Sequence, residues 1–252
     1  MKIKIILFSI LWLPLLAAAQ MDTIYHLDNK QIKKYLKPSS NQYLEFIQMK
    51  SNPQKTMTYV WSRDVRFKTI DNKALIEIEQ KWYASDTTRN RYLYSQMSAN
   101  DFSPVYHYSR MARGTEAYDF YNDKIAGSDS VVNNSKKDFD LKLGKPLLNW
   151  ELDMETFPLL DLKMGKHFAI NFYHPGGRTE PKLYEYKVTG EENIVTVEGT
   201  RIPCWKLKID YDEKSWAIFY ISKKGRELLK MEEDFGTGTR YKVKLSNSIP
   251  IR

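Results

Sequence analysis

An alternation of apolar and polar side chains with a period of two runs through most of this chain. The clearest run places Ile76, Ile78 and Trp82 on one side, with charged residues between them. The same pattern recurs in segments 139–143, 168–172, 184–188, 205–209 and 241–245. Because successive side chains of a strand point to opposite faces, each run predicts a half-buried antiparallel strand with an apolar face and a wet face.

Residues that favour turns separate these runs at short intervals, as they do in meandering all-β domains. They include Asp71-Asn72, Pro175-Gly176-Gly177, Gly190 and Gly199. We expect the two single glycines to allow positive φ where hairpins reverse. Template matching gives roughly a dozen strands. The sequence therefore predicts an all-β fold in which an antiparallel meander forms a barrel or half-barrel.

Two short helices interrupt the strand pattern. Asp28 or Asn29 can cap a short N-terminal helix that begins at Lys30 and is stopped by Pro38. A second short helix is predicted near 150–160, where Asn149 precedes acidic first-turn residues. This helix either covers one mouth of the barrel or marks a domain boundary. The absence of a Gly/Ser/Pro-rich linker favours the first interpretation, and we expect residues 20–252 to form a single antiparallel β domain.

Residues 1–19 have the layout of a secretory signal peptide. Lys2 and Lys4 precede a short apolar run, and Ala17-Ala18-Ala19 supplies small residues for cleavage. A buried N-terminal helix is the alternative interpretation. Position 20 is Gln rather than Cys, so we expect an exported periplasmic protein that is not a lipoprotein. No later apolar run is long enough for a transmembrane segment.

The composition narrows the classes of partner. The net charge of +8 comes from lysines spread along the strands rather than clustered in a patch, so we expect no nucleic-acid partner. Cys204 is the only cysteine, and we expect it to be a small buried hydrophobe rather than a nucleophile. Aromatic residues are abundant, with 17 Tyr, 11 Phe and 6 Trp. In a β domain most of these pack in the core, but a few can line a lipid or sugar pocket.

A family resemblance lies in residues 184–245. Gly199-Thr200 leads to Cys204-Trp205-Lys206-Leu207, the strand Phe219-Tyr220-Ile221-Ser222-Lys223 follows, and Leu229-Lys230-Met231-Glu232 closes the segment. This resembles an uncharacterised group of exported bacterial β-barrel proteins. Their architecture is similar to that of the periplasmic lipoprotein carriers LolA and LolB, which are incomplete antiparallel barrels. The resemblance implies a fold and names no active site.

The motifs of catalysis are missing from the sequence. The four histidines are too scattered to suggest a metal site, and no nucleophile elbow occurs. We therefore expect no catalytic residues, no metal and no cofactor. The loop from His174 to Arg178 could hold an anion on its backbone, but a plain hairpin turn is the simpler interpretation. As binding residues we predict Trp205, Trp216, Tyr184 and Tyr186, from the aromatic strands of the second half.

These patterns favour a non-catalytic exported binding protein that holds an apolar or amphipathic envelope molecule, such as a lipid, in a β-barrel. Two alternatives stay open. One is an envelope scaffold with a filled core that binds an envelope protein through an exposed apolar patch or a long sheet edge. The other is a hydrolase of envelope polysaccharide or peptide, which would need convergent carboxylates or a Ser/His pair in a cleft.

Overall fold

A computed structural model describes residues 21–196 and 198–245. The predicted signal peptide lies outside the described residues and stays a prediction. The strands are β1 (Met21–Ile24), β2 (Ser39–Met49), β3 (Asn52–Ile70), β4 (Lys73–Ala84), β5 (Arg91–Ser98), β6 (Pro104–Met111), β7 (Gly114–Phe120), β8 (Lys124–Gly127), β9 (Asp140–Lys142), β10 (Leu148–Asn149), β11 (His167–Tyr173), β12 (Lys182–Val195), β13 (Arg201–Asp210), β14 (Ser215–Ser222), β15 (Leu228–Phe235) and β16 (Gly238–Lys244). The α-helices are α1 (Asn29–Tyr35) and α2 (Asp153–Thr156).

All sixteen strands belong to one sheet, which confirms the predicted all-β class. Strands β2 to β9 pair in chain order, and so do β11 to β16, so the sheet consists of two antiparallel meanders. The two meanders are joined by β16, which pairs with β15 on one side and with β2 on the other. The sheet does not close on itself, and the fold is a half-barrel.

Both ends of the sheet are short strands. Strands β1 and β10 pair in parallel with successive parts of β11, and β9 ends the other side with only three residues. Short edges offer few unpaired backbone groups to another chain. The edges therefore give little support to a scaffold that works through a long free strand.

Side-chain packing brings the two ends of the sheet together without pairing them. Tyr118 of β7 and Tyr173 of β11 belong to one buried cluster. Gly176, in the loop that follows β11, lies so close to Tyr118 that an added Cβ would be 2.1 Å from the Tyr118 hydroxyl oxygen. The φ of Gly176 is +72°, a region that favours glycine. Only a glycine fits this junction.

A helical plug, residues 150–159, fills much of the concave side of the sheet. It consists of α2 between two 3₁₀ turns, and Asn149 caps it by accepting a hydrogen bond from the backbone N–H of Glu151. Leu152, Phe157 and Leu159 are buried in the same core as inward residues of the sheet. The predicted helix near 150–160 is thus confirmed. It packs against strands from both halves of the chain, because this contact removes its apolar side chains from water.

The local signals of the sequence were read correctly at several positions. Asp28 caps α1 through the backbone N–H of Lys30, and the helix ends before Pro38 because a residue preceding proline disfavours helical backbone. Asp71 and Asn72 both have positive φ and form a tight hairpin turn between β3 and β4. Within the described residues no helix is long and apolar enough to cross a membrane.

Two details of the sequence interpretation were wrong. Gly190 does not reverse a hairpin: it lies inside β12, where the register with β13 shifts. Such an irregularity accepts glycine because the pairing is locally broken. In β16 the expected faces are exchanged. Lys242 is 6% exposed and lies in the concave interior, whereas Val243 is 37% exposed on the outside.

Candidate functional site

A cleft of about 500 Å³ opens on the concave side of the sheet, between the helical plug and side chains of β3–β5 and β14–β16. We call it the tryptophan cleft, because Trp61, Trp82 and Trp150 contribute to its wall. A second cavity of about 610 Å³ adjoins it and shares Trp150 and His174. Both cavities are mixed in character, with charged side chains set among aromatic rings.

The aromatic wall follows from strand register. Trp61 and Trp82 are directly opposed on β3 and β4, so their ring centroids lie 4.2 Å apart. Trp61 is buried, while Trp82 and Trp150 are only half-buried and keep part of their rings toward the cleft. Trp150 packs edge-on against Tyr184 at 4.1 Å. The cleft therefore offers two flat indole surfaces to a ligand.

Beneath the cleft, a buried ion pair fixes the plug to the sheet. Arg63 Nε donates to Glu155 Oε1 at 2.9 Å, and its Nη2 contacts the other carboxylate oxygen. Arg63 Nη1 also donates to Gln80 Oε1 at 2.8 Å. With these partners the guanidinium, 1% exposed, is well satisfied. The group therefore orients the plug and is not available to a ligand.

Two carboxylates of the cleft also have a basic side chain close by. Glu233 Oε2 lies 3.1 Å from Arg240 Nε, and Glu151 Oε1 lies 3.0 Å from His174 Nε2. Burial acts to raise the pKa of Glu151, but nearby His174, His107 and Arg63 outweigh it and hold that pKa below its usual range. The lowered pKa keeps Glu151 ionised at neutral pH.

Asp153 of the plug behaves differently. Burial raises the pKa of its carboxyl to about 6, and Lys242 and Arg63 only partly oppose this effect. Asp153 therefore exchanges a proton near the pH of many cellular compartments, beside a carboxylate, Glu151, that stays ionised. Neighbouring carboxyls with separated pKa values are the arrangement that acid–base chemistry requires.

Lys242 of β16 also lines the cleft. Its ammonium lies 4.5 Å from the centroid of the Trp61 ring and 5.8 Å from that of Trp82. Among the described residues it has no carboxylate oxygen within 4.0 Å and no hydrogen bond. The indole N–H groups of Trp61 and Trp82 are buried, and neither has a hydrogen-bond partner in the described chain. Buried donors normally have partners, so these two indole groups are exceptions in the wall of the cleft.

The structure does not bring the four predicted binding residues together. Tyr184 lines the second cavity and contacts Trp150, so it lies at the edge of the site. Tyr186, two residues further along β12, is buried in the core against Phe157, 4.9 Å away. Trp205 packs against the core under Lys223 Nζ, which is 4.0 Å above its ring. Their role in binding stays a prediction.

Trp216 lies on the other face of the sheet. Its neighbour Ala217 and the next inward residue, Phe219, belong to the core, so strand alternation turns Trp216 outward. Trp61, Trp82, Trp150 and Lys242 were not predicted as site residues. A signal for them existed in the charged residues Glu45, Arg63 and Lys242, which occupy inward positions where a filled barrel would have apolar ones.

Other candidates for chemistry lie away from the cleft. Ser95 Oγ is 2.9 Å from His107 Nδ1, but both residues are buried and neither lines the cavities described above. Burial lowers the pKa of His107 to about 4. Cys204 is buried, and burial raises the pKa of its thiol to about 11, which keeps it in the unreactive thiol form. The loop at His174–Arg178 lines the second cavity, where Gly177 N–H donates to His174 O.

Comparison with protein families places the chain in one of them. Residues 47–245 match the model of a family described as "Protein of unknown function (DUF3108)". The match covers most of the chain, so the chain belongs to this family, and the prediction of an uncharacterised β family is confirmed. The similarity to LolA and LolB stays a prediction. No significant match was found among curated proteins.

Two solved structures show a distant similarity. A β-barrel-like protein of the domain of unknown function DUF1849 from Brucella abortus is 9% identical, with a TM-score of 0.45, over 83% of this chain and 97% of that one. A DUF1329 family protein from Desulfovibrio piger is 10% identical, with a TM-score of 0.33, over 86% of this chain and 88% of that one. Neither similarity bears on function.

Proposed function

We propose that this member of a family of unknown function is an exported, non-catalytic binding protein that holds an amphipathic envelope molecule in the tryptophan cleft. The observation that carries the proposal is the pairing of two features in one cleft. The rings of Trp82 and Trp150 are partly exposed there, and polar atoms nearby have no partner in the described chain. Export rests on the signal-peptide pattern of residues 1–19.

The aromatic surface accounts for affinity and the open polar groups account for specificity. An apolar or flat part of a ligand that covers an indole ring removes apolar area from water, worth about 25 cal/mol per Å². The indole N–H groups of Trp61 and Trp82, which have no partner in the described chain, and the ammonium of Lys242 donate hydrogen bonds to a ligand's oxygens. Ligand sites commonly combine such apolar walls with a few well-placed polar groups.

The apolar interior is a poor place for a long acyl chain. Phe157 and Leu159 of the plug are at most 3% exposed and occupy the space that a carrier would leave open. A ligand is therefore held by its polar or ring-containing part in the cleft. In this proposal the site lies away from Trp205 and Trp216, with Tyr184 at its edge.

Mass spectrometry of molecules extracted from protein purified mildly from its native envelope tests the proposal. We expect a near-stoichiometric amphipathic molecule in the wild type and at least a tenfold loss of it in Trp82→Leu. The matched control is Trp205→Leu, which removes a half-buried indole outside the cleft and should retain the ligand. An empty wild-type protein, or equal retention by both variants, would contradict the proposal.

A second candidate function is hydrolysis of an envelope saccharide. It is favoured by one observation: Asp153, whose pKa is about 6, shares the cleft with the ionised Glu151. Release of reducing sugar from envelope polysaccharide, measured for the wild type and Asp153→Asn, separates the two functions. Saccharide turnover that is present in the wild type and absent in Asp153→Asn would show that the protein is a hydrolase. Ligand binding without turnover would support the binding function instead.

A further inference from the structure

We propose that the tryptophan cleft and the second cavity form one elongated site for a neutral, linear sugar chain, with Trp150 at its centre. The inference rests on the proposed function and names the chemical class of its ligand. It also gives a role to the second cavity, which holds the sugar units that extend beyond the cleft.

Three aromatic side chains form a strip that runs from one cavity into the other. Trp150 lines both cavities, Tyr211 lines the tryptophan cleft and Tyr184 lines the second cavity. The centroid of the Trp150 ring lies 6.2 Å from that of Tyr211 and 4.1 Å from that of Tyr184. Tyr211 is 36% exposed and the other two are half-buried, so each side chain keeps part of its surface accessible. A ligand that covers this strip crosses from the cleft into the second cavity.

The size of the two cavities favours a chain of repeated units over one compact molecule. A site for a single small molecule has a volume of about 300–1,000 Å³. The two cavities, of about 500 and 610 Å³, each lie within that range. They meet at Trp150 and His174, and the side chain of His174 is 60% exposed, so the boundary between them is open to solvent. A ligand that fills both is longer than either cavity.

The charged side chains that line the joined site balance each other among the described residues, leaving aside His174. Six carry a carboxyl group, namely Glu151, Asp153, Asp212 and Glu233 in the cleft and Glu116 and Glu180 in the second cavity. Six carry a cationic group, namely Arg91, Arg240 and Lys242 in the cleft and Arg113, Lys136 and Arg178 in the second cavity. An ion of either sign meets attraction and repulsion in similar measure, whereas a neutral ligand avoids the cost of desolvating a net charge.

The polar part of the lining favours hydroxyl groups over hydrocarbon. Arg113, Arg178 and Glu180 are exposed in the second cavity, and a hydrocarbon chain laid over them would displace their water without replacing its hydrogen bonds. Hydroxyl groups donate to carboxylates and accept from guanidinium and ammonium groups. One face of a pyranose ring also carries C–H groups, which pack on an aromatic ring such as that of Trp150 or Tyr184. A neutral sugar chain therefore matches both kinds of surface.

An array of neutral linear oligosaccharides of two to eight units, in α- and β-linkages, tests the inference on the purified protein. Chains that bind are then titrated by calorimetry. We expect at least one type of chain to bind, with an affinity at least tenfold higher for its six-unit than for its two-unit member, because only the longer chain reaches both cavities. Chains of the same length made of uronic acids or of amino sugars should bind more weakly, since their charges have no excess of the opposite sign to meet.

Variants assign the length dependence to the two cavities. Trp82→Leu, in the cleft, should weaken binding of both short and long chains. Tyr184→Leu, in the second cavity, should weaken binding of the six-unit chain at least tenfold and leave the two-unit chain unchanged. The matched control is Tyr108→Leu, because Tyr108 is half-buried, packs edge-on against Tyr92 at 5.9 Å and lines neither cavity. Circular dichroism checks that each variant is folded.

Four results would overturn the inference. They are equal affinity for two-unit and six-unit chains, unchanged binding of the long chain in folded Tyr184→Leu, tighter binding of charged chains, and no binding of any neutral chain. If the native protein nevertheless retains an amphipathic molecule that Trp82→Leu loses, the proposed function stays intact. Extraction of a peptide or of a sugar-free lipid has the same meaning. An empty native protein that binds no sugar chain would refute both.

Discussion

Arg63 and Glu155 form a two-point ion pair in the interior that joins the middle of β3 to the helical plug. Both residues are at least nine-tenths buried, so each charge depends on the other for compensation. The pair fixes the plug, and the plug in turn sets the position of Trp150, Glu151 and Asp153 in the cleft.

Breaking this ion pair on one side should destabilise the protein strongly. Arg63→Met or Glu155→Leu leaves an uncompensated buried charge, and we expect each to lower the free energy of unfolding by about 3–5 kcal/mol. The double variant replaces both charges by apolar groups and should recover most of that loss. Urea unfolding measures all three, and a double variant as unstable as the sum of the singles would contradict the role of the pair.

Gly176 should not tolerate a side chain. Gly176→Ala introduces a Cβ 2.1 Å from the Tyr118 hydroxyl and strains a backbone with φ of +72°. We expect a loss of stability of about 1–3 kcal/mol. The companion change Tyr118→Phe removes the nearest atom, so the double variant should regain part of the loss in thermal unfolding. If Tyr118→Phe has no effect in the Gly176→Ala background, the contact is not the cause.

Asp153 and His107 should give opposite pH dependences of stability. Asp153 has a raised pKa of about 6 in the folded protein. Its contribution to the free energy of unfolding is therefore full below pH 3.8 and is lost as the pH rises through about 6. His107 has a lowered pKa of about 4 in the folded protein. Its contribution to the free energy of unfolding is therefore full above pH 6.5 and is lost as the pH falls through about 4. Each effect is on the order of 3 kcal/mol.

Unfolding free energies measured from pH 4 to pH 7 separate the two. The free energy of unfolding of Asp153→Asn, minus that of the wild type, should increase as the pH rises. The same difference for His107→Gln should decrease as the pH rises. Parallel curves for the wild type and both variants would show that neither group titrates with a perturbed pKa.

Two buried tyrosines should respond differently to loss of the hydroxyl. The hydroxyl of Tyr43 donates to the Leu228 carbonyl at 3.2 Å, whereas that of Tyr186 is buried with no partner in the described chain. We expect Tyr43→Phe to cost about 1 kcal/mol and Tyr186→Phe to be neutral or stabilising. Thermal unfolding of the two single variants is the measurement. Equal losses would mean that the Tyr186 hydroxyl has a partner in solution.

The fold class could be predicted because it depends on local patterns. The alternation of Ile76, Ile78 and Trp82 sets the inward face of β4, and Asp71-Asn72 sets the turn before it. The pairing of β16 with β2 could not be predicted, since it joins segments almost two hundred residues apart and neither carries a local signal for the other. The strand count was too low for a related reason: β1 and β10 are too short to show periodicity.

The site was harder to predict than the fold. Alternation was read in β16 with Val243 facing inward, because apolar residues are normally the buried ones. The reverse is true, since Lys242 faces the cleft and Val243 faces out. Half-buried tryptophans and core tryptophans look the same in a sequence, so Trp205 and Trp216 were chosen over Trp82 and Trp150. A buried charge is a departure from the pattern, and such departures are expected at functional sites.

The position of β16 in the middle of the sheet has a consequence for how the protein is made. During synthesis the first meander, β2–β9, leaves the ribosome long before β16 does. The edge of β2 that pairs with β16 therefore stays unpaired until residues 238–244 have been made. The last described strand, β16, is thus the strand that joins the two meanders. A chain cut short before β16 would yield two separate sheets, with the tryptophan cleft missing the wall that carries Lys242.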